Sequence, residues 1–156
     1  MPIYEVNINE FSNYNYRLIG IHTTLSEYKL AYLLNKFLQI KFNRATYDLD
    51  FVTKGNQSSY AIYEYTNTKL YQDWFLIANV YKSTLEAESI SLFNQSDSIT
   101  RLIPEKKKVD FFLKLEGDFD HNSIVKIIDI IKKIPQIITS YEIEVDSLKS
   151  KDFLIF

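Results

Sequence analysis

Histidine, glutamate and aspartate side chains bound the chemistry that this chain can offer. Only two histidines occur in 156 residues, His22 and His121. His22 closes an apolar strand just before a helix start, and loops at the carboxyl ends of strands in α/β sheets collect ligands. An imidazole there serves as acid, base or ligand if it meets a substrate, and otherwise orients the turn through a hydrogen bond. Glu105 and Asp110 flank three lysines in RLIPEKKKVDFFLKLEG, residues 101–117. In a fully extended chain these two carboxylates would stand roughly 17 Å apart at ~3.3 Å per residue, so they act together only if the lysines form a bend. Asp48 with Asp50, and Glu142 with Glu144, each project from one strand face. Such pairs suit acid–base work or a hard cation, and equally a solvated sheet surface.

Lys106, Lys107 and Lys108 stand beside Phe112, which strand alternation places on the outer face. Aromatics that stack on bases beside lysines that hold phosphates would read RNA. Asp110 and Glu116 share that face, however, and 20 acidic against 18 basic residues give the chain a net charge of -2. Nucleic acid is therefore disfavoured as a partner.

Several chemistries are excluded outright. There are no cysteines, which removes disulfides, thiolate metal sites and thiol nucleophiles. Glycine occurs only at 20, 55 and 117, so no glycine-rich phosphate loop exists, and there is no G-x-S-x-G elbow. Two histidines are too few for a histidine-rich metal site. We expect no cofactor and no metal, and the balance leans away from an enzyme. No stretch approaches the 18 uncharged apolar residues of a membrane span, and MPIYEVNINEF lacks the cationic and apolar regions of a signal peptide. The expected compartment is the cytoplasm, with no membrane partner.

The elements that position these groups follow from periodicity. In HNSIVKIIDIIKKI, residues 121–134, Ile124, Ile127, Ile128, Ile131 and Ile134 fall on one helical face, with Asp120 placed to cap the start and Pro135 to end it. A second helix is predicted from Leu25 to Phe42, with Thr24 and Glu27 in capping-box spacing and Leu30, Leu33, Leu34, Phe37 and Ile40 facing the core. ATYDLDFVT and ITSYEIEV alternate as strands with one wet face, whereas YRLIGIHT, SYAIYEYT and DWFLIANVY are apolar on both sides and belong mid-sheet or at an interface. Short turns at Gly55–Asn56 and Asn67 predict three antiparallel strands in series. Residues 83–100 are irregular, with SISLF a candidate short strand.

In residues 109–116, Val109, Phe111, Leu113 and Leu115 point inward, and Asp110, Phe112, Lys114 and Glu116 outward. Continuing that alternation backwards would bury Glu105 and Lys107, so the strand begins near Lys108 and Pro104 opens a turn or edge segment. One domain, 1–156, follows from the length. It is α+β, with a mostly antiparallel twisted sheet of about six strands and two main helices, in the order strand-helix-strand-strand-strand, irregular segment, strand-helix-strand.

Ile103-Pro104-Glu105, three residues, then Val109-Asp110-Phe111 resembles the motif that names the IPExxxVDY family of small bacterial proteins. GIHTTLSEYKLAYLLNKF, residues 20–37, and the segment from Phe153 to Phe156 are similar to it as well. Phe111 stands where the motif has tyrosine, so no hydroxyl is available there. The resemblance implies a small cytoplasmic bacterial protein and points to Pro104, Glu105 and Asp110 as motif residues, without implying a reaction. Function is therefore expected to be a non-enzymatic binding or interaction module, with an unknown protein partner or self-association through surplus strand aromatics such as Tyr60, Tyr63, Tyr65, Tyr71 and Trp74, most of which buried core would account for equally. The alternative is a small-molecule-binding protein or small enzyme with a site near His22, Glu105 and Asp110. RNA association comes third.

Overall fold

The structure is a computed structural model and describes residues 16–53, 55–83 and 98–156. Among the described residues ten strands occur: β1 (Tyr16–Thr23), β2 (Asn43–Arg44), β3 (Leu49–Thr53), β4 (Asn56–Tyr60), β5 (Ile62–Asn67), β6 (Gln72–Ala78), β7 (Val80–Ser83), β8 (Ser98–Arg101), β9 (Phe111–Gly117) and β10 (Ile137–Ile143). Helix α1 covers Glu27–Leu38 and α2 covers His121–Lys132. Six strands form one antiparallel sheet in the order β10-β1-β9-β6-β5-β2, and β3-β4 and β7-β8 are separate hairpin pairs. The fold is α+β. Most of the irregular stretch, with its SISLF segment, lies outside the described residues.

Strand directions reveal two interlocked units. β9 and β10 both pair antiparallel with β1, so they run parallel to each other with β1 between them and α2 as the connection. β1 and β6 run parallel with β9 between them. This is a double split β-α-β topology, with residues 43–67 inserted after α1.

Each face of the sheet carries its own core. Ile19, Ile21, Leu76, Leu113 and Leu115 pack under Leu30, Leu34, Ile124, Ile127 and Ile131 of the two helices. On the opposite face Leu18, Ile77, Ile62 and Phe112 are buried with Leu49 and Tyr60 of the β3-β4 hairpin, Ile103 and Val109 of the loop before β9, and Leu148 and Leu154 of the C-terminal turns. Phe112 and Lys114 are therefore enclosed rather than outward-facing. Their alternation was sound, but the second face is covered by segments far away in sequence. The RNA-stacking role weighed and disfavoured for Phe112 loses its exposed ring as well.

Other boundaries shift for local reasons. α1 starts three residues after Thr24, and Ser26 is the N-cap without a side-chain bond. Thr23 rather than Thr24 engages its neighbours, its Oγ1 accepting from the Leu25 amide at 3.1 Å and donating to the Gln136 carbonyl at 2.7 Å. α1 ends early because Gln39 turns left-handed (φ 55°), and the Asn35 side chain then receives the Phe42 amide at 2.6 Å, folding the chain back. The predicted three-strand series breaks at Ala61: β4 joins β3 on the second face while β5 joins the main sheet. By contrast, Asp120 caps α2 as predicted, accepting from Ser123 N at 2.7 Å.

Gly117 ends β9 at φ +109°, where a Cβ would overlap the Tyr71 carbonyl oxygen and come within 3.2 Å of the Gln72 Cα. Backbone cannot move aside as a side-chain tip can. Gly117→Ala is expected to lose about 2 kcal/mol or more, read as a lower urea midpoint at unchanged slope.

Candidate functional site

The loop from Ile103 to Asp110 folds over the end of β1. Ile103 is extended (φ -115°, ψ 93°), as a residue before proline must be, and Pro104 opens a single 3-10 turn, Pro104–Lys106. Lys106 O accepts from Val109 N at 3.1 Å, which supplies the bend at the lysines. Asp110 then takes its place beside β1: its amide donates to Ile21 O at 3.0 Å, and its Oδ2 accepts from the Thr23 amide at 2.9 Å. Glu105 turns the other way. Its two oxygens accept from Ser150 N at 2.8 Å and Ser150 Oγ at 3.0 Å, which ties the C-terminal turns to the loop.

The bend thus separates the functions of the two carboxylates. Burial alone would raise the Glu105 pKa, but hydrogen bonds from the Ser150 and neighbouring backbone amides and from the Ser150 hydroxyl outweigh it and hold the carboxyl below its ordinary value. Because the folded-state pKa is depressed, this tether contributes stability above the unfolded-state value and is lost as pH falls through the folded one. Glu105→Gln is expected to cost about 1 kcal/mol at pH 7, after allowing for solvent screening, and to flatten the acid limb of a stability–pH curve below about pH 4.5. An unchanged acid limb would show the tether to be inert.

His22 belongs to the same corner. Its Nε2 lies 2.8 Å from the Tyr141 hydroxyl on the neighbouring strand β10, with the two rings 5.3 Å apart. Tyr141 and residues 104–109 line one shallow surface depression of about 370 Å³. His22 therefore meets the motif loop through Tyr141, but the Asp110 carboxylate opens elsewhere. It lines a cleft of about 840 Å³ at the start of α1, with Thr24, Ser26, Tyr28, Arg44, Ser59 and Tyr81 among the other walls. The four candidate residues His22, Pro104, Glu105 and Asp110 are neighbours around one loop, yet Glu105 and Asp110 line different cavities and His22 lines neither of these two.

The residue at the centre of the loop is one that the sequence reading passed over. Asn79, fully buried, donates through Nδ2 to Lys106 O at 3.0 Å and Val109 O at 2.7 Å, and accepts through Oδ1 from Ile103 N at 2.8 Å. Its own amide donates to Asp110 O, and its carbonyl accepts from Leu102 N, both at 2.9 Å. A single asparagine within the apolar run FLIANVY was the available signal. Gly20 leaves room for the Val109 side chain of this loop, since a Cβ there would stand 2.8 Å from Ile143 Cδ1 and 3.3 Å from Val109 Cγ2.

No protein-family model and no curated protein matches this chain. The site therefore rests on its own geometry. Three of the four other paired acids have partners: Ser59 Oγ donates to Asp50 at 2.6 Å and lies 3.2 Å from Asp48, Arg44 pairs with Asp48, and Glu142 pairs with Arg17 at 2.6 Å. Among the described residues no group of three or more His, Asp or Glu side chains is placed to hold a metal ion, and no helix is long and apolar enough to cross a membrane.

Proposed function

We propose that the protein is a non-enzymatic interaction module and that the motif loop is its structural bolt. One contrast carries this reading. The groups in the motif that could do chemistry are engaged with backbone amides, whereas Tyr28 and Tyr32 stand one turn apart on α1, 62% and 66% exposed. Scattered exposed apolar residues are ordinary, but paired tyrosines offer large contact area at low entropic cost. The resemblance to the IPExxxVDY family, which implies no reaction, fits a motif that serves loop architecture.

A photocrosslinking residue at position 28 or 32 tests it, with Val52 on the opposite face as the control position. Discrete protein adducts at 28 and 32 and not at 52 are expected, and light scattering separates self-association from a different partner. A strict monomer with no adduct at either tyrosine would overturn the reading.

A second reading, a small-molecule-binding protein, is favoured by the cleft beside Asp110. It predicts that Asp110→Asn, whose amide oxygen can still accept from the Thr23 amide, changes ligand-induced thermal shifts beyond any change in the unliganded melting temperature. RNA association is the weakest of the three, because the lysines of the loop are balanced by nearby acids. Glu105 and Asp110 flank them, and Glu144, Asp146 and Asp152 accompany Lys149 and Lys151 in the segment that Glu105 tethers.

A further inference from the structure

Charge is unevenly divided in this molecule. Residues 26–42 and 120–134, the two helices with their flanks, hold six lysines against three carboxylates, leaving twelve cationic and seventeen acidic residues for the remainder. All six lysines are exposed, and one of the three acids, Asp120, is engaged in capping α2. The helices pack side by side on one face of the sheet, so an acidic protein presents a basic helical layer.

On α1 this charge is interleaved with the exposed aromatics. At ~100° per residue Tyr28, Tyr32, Lys36 and Lys29 occupy an arc of about 100° on the outer side, opposite Leu30 and Leu34. The Lys29 ammonium lies 5.9 Å from the Tyr28 ring. No acidic side chain shares that arc. Resting on the interaction-module reading, we propose that this ridge docks a short acidic segment of a partner protein, with Tyr28 and Tyr32 as anchors for its apolar side chains and Lys29 and Lys36 pairing with its carboxylates.

The length of the occupant follows from screening. The two lysines are separated by two helical turns, roughly 10 Å along the axis at ~1.5 Å per residue. Charges act over a Debye length of ~8 Å at physiological salt, so a segment confined to the ridge feels its local cations. A long polyanion or an anionic membrane extends past the two helices and meets the acidic remainder of the surface. A short acidic peptide is the occupant that this distribution favours.

A random dodecapeptide display selection on the full-length protein tests the proposal without a known partner. Acid-rich sequences carrying aromatic or aliphatic residues are expected to be enriched. In fluorescence anisotropy their affinity should fall at least tenfold in Lys29→Glu/Lys36→Glu and in Tyr28→Ser/Tyr32→Ser, and should weaken with added salt. Unchanged circular dichroism melts separate this loss from misfolding; a variant that melts early is replaced by the milder Lys29→Gln/Lys36→Gln. Enriched peptides that are not acidic, or that bind both double variants equally, would overturn this site and leave the module reading standing. No enrichment at all, or tighter binding of a twelve-nucleotide uridine RNA, would overturn both.

Discussion

Replacing Asn79 by alanine is expected to lower the stability of the protein by about 3 kcal/mol, more than any surface change in the same strand region. The Asn79 side chain is the partner of one amide and two carbonyls of the motif loop, those of Ile103, Lys106 and Val109. Ile103 and Val109 are themselves buried, so water cannot readily replace it. Each buried backbone group left unpaired costs ~1–3 kcal/mol, partly relieved if the loop relaxes outward. Leucine would fill the space and still leave the Ile103 amide and the Val109 carbonyl without their Asn79 partner, while the Lys106 carbonyl keeps the Val109 amide. Aspartate could accept from Ile103 N but would set a carboxylate oxygen against the two carbonyls. All three variants should therefore fall together in urea midpoint, and the thermal midpoint should drop by ~10 °C for a chain of this length. Amide exchange should accelerate first at residues 103–110, since the loop opens before the sheet does. A loss below about 1 kcal/mol for Asn79→Ala would mean that the loop holds its own shape.

The spacing of the loop from Ile103 to Asp110 is accounted for by reach. The turn from Pro104 to Lys106 and the return at Val109 bring three loop groups to one asparagine while delivering Asp110 to the Thr23 amide and Glu105 to Ser150. A longer or shorter lysine run would break at least one of these connections. The loop thereby secures the end of β1 and the approach to α1, where Asp110 holds the Thr23 amide.

What could be read from the sequence follows the range of the interactions involved. β1 matches YRLIGIHT to the residue because both of its faces are buried, so its apolar run has no ambiguity of phase. α2 begins where Asp120 predicts because a cap is a contact between near neighbours. The start of α1 was misplaced because the residue that ends β1 is fixed by Asp110, 87 positions away. The same limit hid the second core. In residues 109–116 a lysine and a phenylalanine alternating with leucines describe a half-wet strand, and only the hairpin at 49–60 and the turns after 145 make it dry. The candidate site divided in the same way. The sequence identified the carboxylates and His22, but their partners Ser150, Thr23 and Tyr141 come from other strands or turns, and Asn79 carried no recognised pattern.

Lys114 is the sharpest result of that hidden layer, and its substitution separates two accounts of a buried charge. The side chain is 2% exposed, its Nζ 2.7 Å from Glu116 Oε1 and 4.2, 4.9 and 5.5 Å from the ring centres of Phe156, Tyr16 and Phe75. Lys114→Ala removes the buried stem, opens a cavity among three rings and leaves Glu116 without its cation. The expected loss is about 3 kcal/mol. Lys114→Met keeps the length and apolar body of the side chain and removes the need to strip water from an ammonium. Because desolvation of an enclosed ion offsets much of its pairing energy, and Glu116 retains access to water, the methionine variant should lie within about 1 kcal/mol of the parent or above it. Urea denaturation of the two variants side by side decides the matter. If methionine costs as much as alanine, the ion pair and the ring contacts are net stabilising, and the lysine holds the second face together by its charge. If methionine is tolerated, the aliphatic stem is what the core needs, and the ammonium is carried to the rim where Glu116 and Phe156 close over it.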